Sequence, residues 1–114
     1  MTIQTATQKN TLATAYGTAA AFAAVYTTAP GGSAGTEPSG GSPAYARKAV
    51  SWGAPSNGVI TATVTFDIPA GTTVVGAGVH TLVTAGTYLD GAAVTSQAFA
   101  TQGTYALTLT YTQT

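Results

Sequence analysis

Residues able to exchange protons, attack a carbonyl carbon or hold a metal are scarce in this chain of 114 residues. Its acids are Glu37, Asp67 and Asp90, and its one histidine is His80. A nucleophilic triad would need a serine or threonine hydroxyl beside His80 and a carboxylate behind it. Hydroxyls are so abundant here that one near His80 would carry no weight by itself. A metal site would rest on His80 with Asp67 or Asp90, but no two of these stand at the i, i+2 or i, i+4 spacing that puts ligands on one strand or helix face. With Val79 and Leu82 around it, His80 reads as a strand side chain turned to solvent or to an interface. The run GGSAGTEPSGG contains no GxxxxGK[ST], no GxGxxG opening a helix and no lysine, so it is not a phosphate loop. No catalytic residue, metal or cofactor is expected, and the chain is not read as an enzyme.

The other chemically distinctive stretch is YARKAVSW, Tyr45 to Trp52, which carries two of the three cationic side chains. On a strand, Tyr45 and Arg47 face one way while Lys48, Val50 and Trp52 face the other. Val50 and Trp52 then anchor the core side. Arg47, whose planar fork suits a carboxylate, is the candidate for a directed contact. Asp67, across an expected hairpin, is its first intrachain partner, and an acid on a neighbouring subunit is the second. The competing role is a strand-edge charge that blocks edge pairing. Tyr45, Arg47, Trp52 and Asp67 are therefore the candidate interface or structural contacts.

The elements that must position these residues follow from patterning. Lys9, Leu12, Ala13 and Tyr16 give a helical repeat over Thr5 to Gly17, with Gly17 as its stop. The run around Phe22 to Val25 reads as a buried strand. From about residue 29 to 43 the sequence is nearly all Gly, Pro and Ser, a loop expected to be held in place by a neighbouring molecule. Ala46 to Trp52 and Val59 to Phe66 are expected to form a hairpin reversed at Asn57-Gly58. Pro69 and Gly71 mark the next turn, and Thr72 to Leu82 a strand whose Gly76 and Gly78 suggest a bulge or a close backbone approach. Asp90-Gly91 reads as a further turn. In the final run, Tyr105, Leu107, Leu109 and Tyr111 alternate strictly with Ala106, Thr108, Thr110 and Thr112. The expectation is one mainly β domain over residues 1–114, an antiparallel β-sandwich or small barrel with one short N-terminal helix.

Composition narrows the partners. Three Lys+Arg balance three Asp+Glu, so no basic field exists to hold a nucleic acid. No cysteine is present for a disulfide framework. MTIQTATQKN lacks the pattern of a signal peptide, and the run from Ala19 to Val25 is too short to span a bilayer. A neutral surface of Thr, Ser, Gly and Ala lacks the usual protection against self-association.

Four segments in this order, TTAPGG, EPSGGSPAYARKAVSW, FDIPAGTTV and GTYLDGAA, resemble those of small virion proteins encoded by tailed phages, especially phages of actinobacteria, which are labelled tail fibre, minor tail or minor capsid proteins. The resemblance runs from about Thr27 to Val94. TTAP stands where that family often has HTADP, and the Thr-rich final strand is this chain's own. The resemblance implies a β-sandwich serving a structural role in the virion: a capsid decoration or minor capsid protein, or a tail component. Its partners would be copies of itself and a major capsid or tail protein. The alternative is a receptor- or glycan-binding module of a tail fibre that uses exposed tyrosines and Trp52.

Overall fold

The computed structural model describes residues 2–114 and is mainly β, with two antiparallel sheets and one short helix in the manner of a small β-sandwich. The helix α1, Ala6–Ala19, begins at Thr5, whose hydroxyl accepts a hydrogen bond from Gln8 N at 3.2 Å. Gly17 does not stop it. A methyl group at that position would stand 3.1 Å from both Trp52 Cδ1 and Ile60 Cδ1. Gly17 is therefore the place where the helix lies against Trp52 and Ile60, and the chain leaves three residues later, at Ala20.

The larger sheet has the order β2 (Lys48–Ala49), β1 (Phe22–Tyr26), β4 (Thr72–His80), β5 (Tyr88–Phe99), and the smaller one pairs β3 (Val59–Ile68) with β6 (Gly103–Thr112). Strand β1, Phe22–Tyr26, sits inside the larger sheet, and its residues from Ala23 onward are fully buried, as an apolar run without alternation requires. The expected hairpin of Ala46–Trp52 with Val59–Phe66 does not form. Strand β2 is only Lys48–Ala49 and pairs with β1, placing Phe22 opposite Ala49. The segment after β2 crosses between the sheets: Val50 N bonds Ala21 O and Gly53 N bonds Thr61 O, both at 2.9 Å. The reversal at Asn57-Gly58 is real, with both residues at positive φ, 49° and 82°, as a two-residue hairpin turn demands. Only Ser56 pairs on its near side, however.

Strand β3, Val59–Ile68, alternates as its sequence dictates, burying Ile60, Ala62, Val64 and Phe66 and exposing Thr61, Thr63 and Thr65. It pairs with β6, Gly103–Thr112, over ten positions without a register break. After the turn at Pro69–Gly71 the chain enters β4, Thr72–His80, which pairs with β1 and β5. The two glycines do both things expected of them. The register with β5 shifts between Val74 and Gly76, and a Cβ at Gly76 would collide with Pro30 Cδ.

Asp90-Gly91 is not a turn. It lies inside β5, Tyr88–Phe99, and the chain reverses earlier, around Ala85 and Gly86, both at positive φ. Thr81 ties that loop shut, its N–H reaching Thr87 O at 3.1 Å and its hydroxyl accepting from Thr87 N at 2.9 Å.

Val64, Phe66, Ile68 and Leu107 of the small sheet pack on Ala23, Val25, Val74 and Ala77 of the large one to make the core. On the β2 side the Gly53–Thr61 bond links the two layers. On the opposite side β5 and β6 each end their sheet, and no ladder among the described residues joins them. The sandwich is thus open along a seam between β5 and β6.

Candidate functional site

The long Gly/Pro loop is pinned by contacts within the chain itself. Its backbone bonds Thr27 N to Thr36 O at 2.7 Å, and Thr36 N reaches Thr28 Oγ1 at 2.8 Å. Gly35 lies directly on Tyr26, closer than any Cβ could allow, and Pro30 lies on Gly76. Tyr88 donates its hydroxyl proton to Gly31 O at 2.9 Å. The loop thus forms a partial third layer over the outer face of the large sheet.

At the centre of this layer is an ion-pair hub. Glu37 accepts from Arg47 Nη2 at 2.8 Å, from Arg47 Nε at 3.1 and 3.2 Å, and from Tyr45 Oη at 2.8 Å. The Arg47 and Glu37 side chains retain only 12% and 25% of their exposure. Burial alone would push the Glu37 carboxyl up, but hydrogen bonds from Arg47 and Tyr45 outweigh it and hold it below its usual value. Hydrogen bonding to Glu37 raises Arg47 in turn, against the opposing effect of burial. Arg47 Nη1 also donates to Leu82 O at 3.0 Å and Ala85 O at 2.8 Å, so one guanidinium joins the Gly/Pro loop to the β4–β5 loop. Its partner is Glu37 and not Asp67. Asp67 instead meets Lys48, at 3.5 Å. The alternation that places Arg47 and Lys48 on opposite faces is correct, and each cation finds an acid on its own side.

His80 is 3% exposed, which corrects its reading as a solvent or interface group. Its Nε2 stands 2.6 Å from Tyr26 Oη, with Tyr88 edge-on at 5.6 Å between ring centres. Burial lowers its pKa and the Arg47 charge lowers it further, against a smaller opposing effect of Glu37. The neutral ring is thereby favoured, and its Nε2 can accept the proton of Tyr26, whose own pKa burial raises. Among the described residues no serine or threonine hydroxyl bonds His80, and no three of His, Cys, Asp and Glu come together.

A second cluster lies at the seam. Trp52 donates Nε1–H to Ala20 O at 2.9 Å and stands edge-on to Tyr16, and Tyr16 stacks on Tyr111 with ring centres 3.8 Å apart. Tyr16 Oη donates to Asp90 Oδ2 at 3.2 Å, while Asp90 Oδ1 accepts from Gly91 N at 2.9 Å. Tyr16, Trp52 and Asp90, with Val94, Leu107 and Leu109, line a cleft of about 210 Å³. Trp52 is thus a half-buried anchor between helix and sheet, with Val50 packed at the core edge as expected. No aromatic residue among those described is exposed: Tyr26 and Phe66 are buried and the rest are half-buried.

Neither the Glu37 partnership nor the Tyr26–His80 pair follows from the patterning of the sequence. The one available signal was Glu37 itself, the acid within the loop ten residues before Arg47. No protein-family model, curated protein or solved structure matches the chain.

Proposed function

We propose that this protein is a non-enzymatic structural component of a tailed-phage particle, a surface accessory that packs on the virion against copies of itself and a major capsid or tail protein. The observation that carries the reading is the distribution of charge and edges. Two of the three cations are consumed in internal ion pairs. Exposed threonines, serines and alanines line two long sheet edges, among them Thr95, Ser96 and Ala98 on β5 and Thr104, Ala106 and Thr108 on β6. Such edges are normally capped or charged in a protein that works alone. The four segments resembling small actinobacteriophage virion proteins point the same way. Mass spectrometry of purified particles, with antibody labelling of the chain in electron micrographs, tests it. Stoichiometric presence on head or tail is expected, and absence from the particle overturns it.

A second reading, a glycan-binding module of a tail fibre, is favoured by one observation. The seam cleft combines the Tyr16 and Trp52 rings with the Asp90 carboxylate, the mixture of flat apolar surface and acceptor that sugars use. Trp52 is the single tryptophan, so oligosaccharide titration followed by its fluorescence reports on that cleft directly.

A further inference from the structure

The last strand reads Thr104-Tyr-Ala-Leu-Thr-Leu-Thr-Tyr-Thr112, which is nearly the same in both directions about Thr108. Only Ala106 against Thr110 breaks the symmetry. In an antiparallel pair related by a two-fold axis through Thr108, each residue meets its mirror. Tyr105 would oppose Tyr111, Leu107 would oppose Leu109, and Thr104 would oppose Thr112, each on the second chain. Aromatic pairs, apolar pairs and threonine pairs directly across a ladder are the combinations that stabilise strand pairing.

The strand is also open to receive such a partner. β6 ends the two-stranded sheet, paired to β3 along its whole length with no bulge. It contains no charge and no proline, two of the devices that ordinarily blunt an edge. Its outer-face residues from Thr104 to Thr112 are exposed, and Tyr105, Leu109 and Tyr111 on the inner face are only half-buried. Four consecutive residues, Leu107 to Thr110, line the seam cleft. The backbone edge itself therefore borders open space, since one face alone would contribute only alternate residues.

We propose that β6 pairs antiparallel with β6 of a second copy about Thr108, joining two small sheets into one of four strands. The proposal rests on the assembly reading above and names the partner and the surface. A strand that carries its own mirror image selects its own kind, whereas an edge serving a different protein has no reason to be palindromic. The occupant is accordingly a second copy of this chain and not a foreign strand.

Sedimentation equilibrium of the full chain from micromolar to millimolar concentration tests this, with twice the 11.2 kDa mass expected at the upper end. Thr108 is exposed and faces its own copy, so Thr108→Lys sets two like charges against each other, and Thr108→Glu does the same. Each variant should weaken the dimer at least tenfold, and mixing the two should restore it. A wild-type chain that stays monomeric overturns the proposal, as does a Thr108→Lys dimer of unchanged strength or a mixture that fails to recover. Should the charged variants lose their circular dichroism, Thr108→Cys replaces them. The chain has no other cysteine, and facing Cα atoms about 4.5–5.5 Å apart fall within disulfide reach. Oxidation should then give a covalent dimer, and a dimer that will not cross-link at residue 108 refutes the register. A dimer absent from particles would sink the virion reading and leave this inference standing. A monomer found on particles would do the reverse.

Discussion

Glu37→Gln isolates the hub on which the outer loop depends. The substitution keeps the shape and one acceptor but removes the charge, leaving Arg47 with 12% side-chain exposure facing a neutral amide. Loss of one member of a well-buried pair costs about 3–5 kcal/mol, because the survivor is uncompensated. Here the cost is reduced, since Arg47 keeps the Leu82 and Ala85 carbonyls and Glu37 is a quarter exposed. A loss of about 2–3 kcal/mol follows, with the remaining hydrogen bonds to the charged group setting the lower figure. At roughly 2.1 cal/mol/K of unfolding entropy per residue, this lowers Tm by about 8–12 °C. The pH dependence gives a second signature. The folded carboxyl titrates below the unfolded one, so its contribution is fully present above the ordinary glutamate value, about 4.3, and is lost as pH falls through the depressed folded value. Thermal melts of wild type and Glu37→Gln should therefore differ most at neutral pH and converge in acid. A variant that melts within a degree of wild type at neutral pH would refute the hub, and so would a gap that stays constant into strong acid.

Replacing Asp67 by Asn should cost less than about 1 kcal/mol in urea unfolding, because the Lys48 pair is longer, at 3.5 Å, and more exposed. Gly78→Ala should cost about 1–3 kcal/mol, since the added methyl would stand 2.5 Å from Tyr26 Oη and 2.9 Å from Asp90 O. Denaturant midpoints decide between this and a harmless change. The His80 ring, with its folded pKa lowered, favours folding above its unfolded value near 6.5, and that contribution is lost as pH falls through the folded value. Its NMR ring signals should accordingly titrate below pH 6.5, and a normal titration would remove the burial argument.

The parts legible in the sequence were those whose burial repeats along the strand. β3 and β6 each keep one face inside and one outside, so Ile60, Ala62, Val64 and Phe66, and then Leu107, announce themselves by alternation. β5 could not be read that way. Ala92, Ala93 and Ala98 have weak strand preference, and they are extended because β4 pairs with them. Asp90-Gly91 carries turn chemistry, and Asp90 does accept locally from Gly91 N, yet its other oxygen is held by Tyr16, a contact of tertiary origin. The orientation of Arg47 and Lys48 was local and therefore readable. Their partners were not, because only a hairpin that does not form would set Asp67 opposite Arg47.

The loop laid over the large sheet divides the chain's tolerance to change in an uneven way. It is fastened at Pro30, Gly35 and Glu37, and a side chain added at Gly35 would strike Tyr26 and Thr28 O. Between those points, Gly32 has nothing within 4 Å of where a Cβ would be, and the same holds for Gly40 further on, although its backbone φ of 86° restricts what can replace it. The span around Gly32 is accordingly the natural place for sequence to drift, or for an epitope to be inserted, without loosening the sheet beneath.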